Sequence, residues 1–447
     1  MIFILPQRIN AAASPKLIVA ILVDQLRYDY LERFQDQFAT NGFRLFLDHG
    51  AFMTFAHYDY VPTVTGPGHA SFLSGSGPAQ HGIIANDWLD KVTKKSVYCV
   101  EDSSVQGVGT ASGSKMSPKN FIGSNFADQL RLQYRSKVVG ISMKDRGAIL
   151  PAGKRPAGAF WFETASGNFV TSSYYNWQLP GWVQEFNERK RPGQFFGQNW
   201  DRLVDPKLYS NIDDAAGEGK LSGETNSVFP HRIIKPKEGF ESIMPTPFGN
   251  QLLLEFAEAA IVGEGLGRSS EPDLLCVSFS SIDYCGHRFG PYSQEVEDIT
   301  LRFDRQLELF FDRLDRTIGL SNVMMVLTAD HGVAPTAQFA LAQGLDSRQF
   351  NEGKFMTNLV TALEKEFGSG KYFLENKMYG GNIFLNHPVI DGKGLRVDRV
   401  SQFIRETALA TGLIKACYTR QQILDGRVGA FPGPLVMAGY NPERGGD

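Results

Sequence analysis

Three apolar runs, spread along the whole chain, each end in residues that ligate metals. Leu17–Val23 is followed by Asp24, residues 274–279 lead into Asp283-Tyr-Cys-Gly-His287, and Val323–Thr328 leads into Asp330-His331-Gly332. Continuous apolar runs without polar alternation describe strands covered on both faces, as in parallel sheets flanked by helices. The carboxyl edge of such a sheet is where α/β folds place their chemistry. The expected architecture is therefore a mostly parallel α/β sheet with a metal site at one edge. A fourth segment, Tyr60-Val-Pro-Thr-Val-Thr65-Gly-Pro-Gly-His69, adds a hydroxyl as candidate nucleophile. Read as a strand, it offers Thr63 and Thr65 equally, because alternate residues share a face. Asp, His and Thr without a ligand cysteine fit paired zinc ions acting on phosphate esters.

Each piece has a plainer use. Asp24 precedes a helical stretch at residues 28–34 and could cap it by accepting backbone N–H bonds. Asp283 and His287 are either one helical turn apart or turn-forming residues beside Gly286. Asp330-His331 is the strongest pair, since two adjacent ligand types at a buried strand end have few structural uses. Lys144-Asp-Arg146 follows the apolar run 137–141; continued as a strand, alternation points Lys144 and Arg146 to one side, able to hold phosphoryl oxygens. The plainer alternative is a solvated charge cluster. What distinguishes the set is coincidence: four sites of one chemistry in a single chain.

The bounds agree with an enzyme. The chain has 447 residues, 42% of them hydrophobic, so there is ample core material. Its net charge of -3 gives no basic footprint, which argues against nucleic acid as a partner. The four cysteines form no C-x-x-C motif, which excludes zinc fingers. Residues 1–15 read as the remnant of an export signal, implying a periplasmic or secreted protein, and no apolar run approaches the ~18 residues of a membrane span. Spacing by three and four predicts an amphipathic helix from Val296 to Leu314 capped by Ser293, and Thr246-Pro247 opens another. The looser stretch at about 91–245, rich in Gly, Pro and Ser, reads as a cap inserted over the sheet edge. A peripheral subdomain is expected at about 350–430.

Taken together, the motifs resemble the alkaline phosphatase superfamily, and within it the monoesterase-type branch related to type I phosphodiesterases and nucleotide pyrophosphatases. They are Ile21-Leu-Val-Asp24-Gln, Val61-Pro-Thr-Val-Thr65-Gly-Pro-Gly-His69, Gly82-Ile-Ile-Ala-Asn86-Asp-Trp88, Lys144-Asp-Arg146, Asp283-Tyr-Cys-Gly-His287 and Thr328-Ala-Asp-His-Gly332. The resemblance implies that Thr65 is the nucleophile, forming a phosphothreonine. It implies one zinc held by Asp24, Thr65, Asp330 and His331, and a second held by Asp283 and His287. Asn86, Lys144 and Arg146 would bind phosphoryl oxygens of small phosphate esters. The Lys/Arg pair would favour monoesters over diesters. His69 is expected to be structural. Members of the branch also supply the second zinc with a histidine from a Thr-His-Gly type segment, which does not occur here. The second site is thus expected to lack one ligand and the end of the fold to be missing. His387 is a weak substitute, and a metal-binding remnant without turnover is the competing reading. No Cys-x-Pro-x-Arg segment occurs, which sets a sulfatase aside.

Overall fold

The computed structural model describes residues 14–111 and 113–447. The export-signal expectation falls mostly on residues 1–13 and lies outside the described residues. Seven strands build the central sheet: β1 (Leu17–Val23), β2 (Gly107–Val108), β3 (Val138–Ser142), β4 (Gly158–Glu163), β5 (Asn168–Ser172), β6 (Asp273–Phe279) and β7 (Val323–Thr328). Their order is β7-β1-β6-β3-β4-β5-β2. The first four neighbouring pairs, from β7 to β4, are parallel, while β5 runs antiparallel to both β4 and β2. The three strands expected from sequence are therefore side by side, with Asp24 directly after the strand between the other two. Every residue of β1, β3 and β6 is buried, as their unbroken apolar composition requires. Strand β7 lies at the sheet end and is largely half-exposed.

Among the helices are α1 (Tyr28–Arg33), α2 (Thr65–Ser74), α3 (Asp145–Ala152), α4 (Pro247–Glu264), α5 (Ser281–Phe289), α6 (Gln294–Thr317), α7 (Glu352–Phe367) and α8 (Val397–Ala410), with further helices such as Phe43–His49, Phe126–Gln133 and Gly181–Glu188 between them. Both sequence-predicted helices form where expected. Ser293 caps α6, its side chain accepting the Val296 N–H, and Thr246 precedes α4 with Pro247 in its first turn. α7 and α8 bury Phe355, Leu359, Val400 and Ile404 in an apolar cluster of their own. None of the described helices is long and apolar enough to cross a membrane.

The stretch 91–245 is not one inserted cap. It contains β2 to β5, four of the seven strands of the central sheet. The loose Gly/Pro/Ser composition reflects the connections around these short strands, and sheet pairing overrides the weak local signal. Helix α3 lies close on β3 because the strand carries Gly140. A Cβ there would sit 2.1 Å from the Ala148 carbonyl oxygen and 2.7 Å from Ala152 Cβ. Gly140→Ala is expected to destabilise the fold by about 1–3 kcal/mol, the cost of forcing a methyl into a filled core. Urea unfolding measures this, and an unchanged midpoint would contradict the close packing.

Candidate active site

Asp24 and Asp330-His331 leave neighbouring parallel strands at the same edge. The Asp24 N–H donates to the Phe279 carbonyl (2.8 Å), carrying the ladder one residue past β1. Both aspartates are fully buried. One ligand atom each from Asp24, Asp330 and His331 lies within 4.8 Å of the others, the one such trio among the described residues. His331 Nδ1–H donates to the Gly332 carbonyl at 2.8 Å, which fixes the tautomer and presents Nε2, 3.2 Å from Asp24 Oδ1. Asp24 Oδ1 and Asp330 Oδ2 accept no well-aligned hydrogen bond. Asp24 Oδ1 faces the His331 imidazole at 3.2 Å, and Asp330 Oδ2 faces His69 at 3.2 Å and His331 at 3.6 Å.

The electrostatics describe a site short of positive charge. Burial, and then the charge of Asp24, hold the Asp330 carboxyl above its ordinary range. Burial acts the same way on Asp24, but the Lys144 ammonium and His331 outweigh it and hold that carboxyl well below the usual range. For His331, burial opposes protonation; the close approach of the Asp24 carboxylate and the charges of Asp330 and Asp24 overcome it, raising the pKa to about 9. Two buried carboxylates with orphaned oxygens and an imidazole form a donor set that fits a divalent cation, and carboxylate with imidazole fits zinc.

Asp283 and His287 lie one turn apart on α5, His287 Nε2 3.1 Å from Asp283 Oδ1, so of the two sequence readings the helical one holds. The Lys144 ammonium bridges the two ligand sets, 2.6 Å from Asp24 Oδ2 and 2.5 Å from Asp283 Oδ2. The strand expected to carry Lys144 and Arg146 ends earlier, at Ser142. Ser142 Oγ accepts the Lys144 N–H (3.1 Å), the chain turns, and Asp145 opens α3 with Arg146 in its first turn. An acidic first turn suits a helix start, which is why the alternation fails here. The two side chains consequently divide their work: Lys144 reaches the carboxylates and Arg146 reaches Thr65.

The segment before Thr65 is not a strand either. Thr65 is the first residue of α2 and is buried, whereas Thr63 is exposed, so the fold separates two threonines that a strand would have made equivalent. Arg146 Nη2 lies 3.5 Å from Thr65 Oγ1, and Asn86 Oδ1 accepts the Gly66 N–H at 2.7 Å. At the start of α2 the Gly66 N–H is taken by Asn86, Pro67 has none and the Gly68 N–H bonds the Val64 carbonyl, so the group this end offers an anion is chiefly the Arg146 guanidinium. His69 Nδ1 lies 2.8 Å from the Thr65 carbonyl oxygen and 3.2 Å from Asp330 Oδ2, tying α2 to the trio.

Two neighbours escaped sequence reading. Tyr98 Oη accepts from Arg146 Nη1 (2.8 Å) and donates to Asp145 Oδ1 (2.5 Å), aiming the guanidinium. Gln25 donates to both Asp330 and Asp283. Nothing local marks Tyr98, while Gln25 stood inside the Asp24 motif unremarked. His387 does not join the site; its Nε2 is paired with Asp447 Oδ1 at 2.9 Å.

The model of the type I phosphodiesterase / nucleotide pyrophosphatase family matches residues 18–423. The chain is 39% identical to alkaline phosphatase PafA of Elizabethkingia meningoseptica, over 99% of this chain and 82% of that protein. It is 41% identical to alkaline phosphatase PhoV of Synechococcus elongatus, over 78% of this chain and 67% of that protein. The crystal structure of wild-type PafA superposes with a TM-score of 0.93 at 38% identity, covering 98% of this chain and 85% of that one. A solved PafA variant carries a threonine-to-serine change and loses an asparagine, a lysine and an arginine to alanine. With a match across most of its length and relatives this similar, the chain belongs to the type I phosphodiesterase / nucleotide pyrophosphatase family.

Proposed function

We propose that this protein hydrolyses phosphate monoesters, with Thr65 as nucleophile and a phosphothreonine as the covalent intermediate. The observation that carries the reading is the convergence of Thr65 Oγ1, Arg146 and the Asp24–Asp330–His331 trio around the start of α2. Two of the named relatives are alkaline phosphatases. The four residue types altered in the solved PafA variant recur here as Thr65, Asn86, Lys144 and Arg146, in the same order and with the same spacing within each pair.

Asp24, Thr65, Asp330 and His331 would hold one zinc ion, and Asp283 with His287 a second. Bound zinc supplies Lewis acidity, which lowers the pKa of a hydroxyl and offsets the charge of a leaving oxygen. The chain's own residues do the rest. Thr65 gives up its hydroxyl proton as Oγ1 attacks phosphorus in line, the bond from phosphorus to the ester oxygen breaks, that oxygen takes a proton and leaves as the alcohol, and the phosphoryl group passes to Thr65. Water then attacks the phosphothreonine from the vacated side and releases phosphate. Arg146 binds non-bridging oxygens whose charge is spread in the transition state. Asn86 holds the Gly66 N–H and the turn around it. Tyr98 fixes the Arg146 guanidinium, so its order is set before substrate arrives.

Arg146, and Lys144 once zinc takes its place on Asp24 and Asp283, would favour a dianionic phosphoryl group, because a diester replaces one charged oxygen by an alkoxy group. Lys144→Ala and Arg146→Ala are each expected to lower monoester kcat/KM by about a hundredfold or more, as loss of a preorganised donor does. Diester turnover should fall far less. Assays with p-nitrophenyl phosphate and its bis-ester measure both, and equal losses would remove these residues as the discriminating pair.

A further inference from the structure

Gln25 occupies an unfavourable place and keeps it. Its φ is +64°, a left-handed conformation that costs a side chain with a Cβ. It is buried, and its Oε1 has no hydrogen-bond partner. That oxygen points at Gly286 on α5, where a Cβ would lie only 2.0 Å away. What the residue makes in return is two hydrogen bonds to separate ligand sets. Its backbone N–H donates to Asp330 Oδ1 (3.1 Å) and its Nε2 donates to Asp283 Oδ1 (2.7 Å). Strained backbone and an orphaned buried oxygen persist where the surroundings require the geometry they produce.

We propose that Gln25 is a positioning residue that locks Asp283 for metal binding and ties the Asp283–His287 pair to the Asp24–Asp330–His331 trio. The inference rests on the reading of both groups as metal ligands. With Gln25 on Oδ1, rotation of the Asp283 carboxylate about its χ2 bond is opposed, and Oδ2 stays directed toward Lys144. Gly286 is the second part of the device, since only a residue without a side chain admits the amide between α5 and β1.

Glycine at position 25 separates function from folding. Gln25→Gly keeps the N–H on Asp330 and removes the left-handed strain, so the fold is expected to be at least as stable as wild type. It deletes only the side-chain bond to Asp283. The experiment follows the imidazole NMR signals of His287 and His331 during zinc additions to metal-free protein, for wild type, Gln25→Gly, Gly286→Ala and the double variant. In Gln25→Gly, His287 should respond only at about 10–100-fold higher zinc, the usual cost of losing a partner behind a metal ligand, while His331 responds as in wild type. Gly286→Ala should reproduce the effect despite alanine's better helix propensity, and the double variant should be no worse than either single one. An unchanged His287 response in folded Gln25→Gly, or losses that add in the double variant, would overturn the positioning role alone. A wild-type His287 that never responds to zinc would overturn the metal reading of Asp283–His287 and this inference with it.

Discussion

Thr65→Ala is expected to abolish phosphate monoester turnover, with a loss of at least about a thousandfold in kcat, while the protein still folds and still takes up metal. Removing a nucleophile from a covalent mechanism leaves only binding and electrostatic stabilisation, and such variants fall by factors of a thousand to a million. Folding should survive because Thr65 is the first residue of α2, its side chain caps nothing, and alanine is a good helix former. Metal uptake should survive because Asp24, Asp330 and His331 remain in place. Thr65→Ser retains a hydroxyl at the same site and should keep measurable turnover. The assay is p-nitrophenyl phosphate hydrolysis by zinc-loaded protein, with circular dichroism confirming the fold. Substantial turnover by Thr65→Ala would show that water attacks the ester directly, or that another group is the nucleophile.

Chelation is the second large effect. Removing metal is expected to stop turnover entirely, and adding zinc back should restore it. The same site predicts how metal and protons compete. His331 in the metal-free fold has its pKa raised to about 9 from an ordinary 6.5, and His287 is raised as well, chiefly by its hydrogen bond to Asp283. A raised folded pKa means that the native state holds the proton more tightly than the unfolded chain does. That stabilisation is complete below pH 6.5 and is lost as pH climbs through about 9. Asp24 and Asp283 are shifted downward, so their contribution is already in place across this window. Metal requires the neutral imidazole and therefore expels the proton. Metal-free protein should lose thermal stability between pH 6.5 and 9, and zinc should raise Tm more at the alkaline end. Scanning calorimetry at both ends tests this; a zinc-induced rise in Tm that does not change with pH would contradict it.

The parts of this site readable from sequence were those set by short-range pattern. Asp24 and Asp330 were found because long apolar runs place a residue at a strand end without further information, and those strands are adjacent in the sheet. The helix of Asp283 and His287 was one of two options for a spacing of four. Lys144 and Arg146 stand on a turn and a helix start where alternation gives them a strand, since an apolar run does not announce where a strand stops. Thr65 could be separated from Thr63 only by resemblance, because the choice depends on where α2 begins. The extent of the insertion was misjudged because β2, β4 and β5 are short or lie among Gly- and Pro-rich connections, where pairing partners decide the structure. Tyr98, His69 and Gln25 act through contacts with residues far along the chain, and no local pattern encodes such meetings.

The most direct test of the covalent mechanism is the stereochemical course at phosphorus. A phosphate monoester made chiral by oxygen isotopes would be turned over with an alcohol as phosphoryl acceptor, and the configuration of the product read by NMR. Transfer through Thr65 takes two in-line displacements, each inverting phosphorus, so the account requires net retention. Net inversion would mean a single direct displacement, and the phosphothreonine would have to be abandoned.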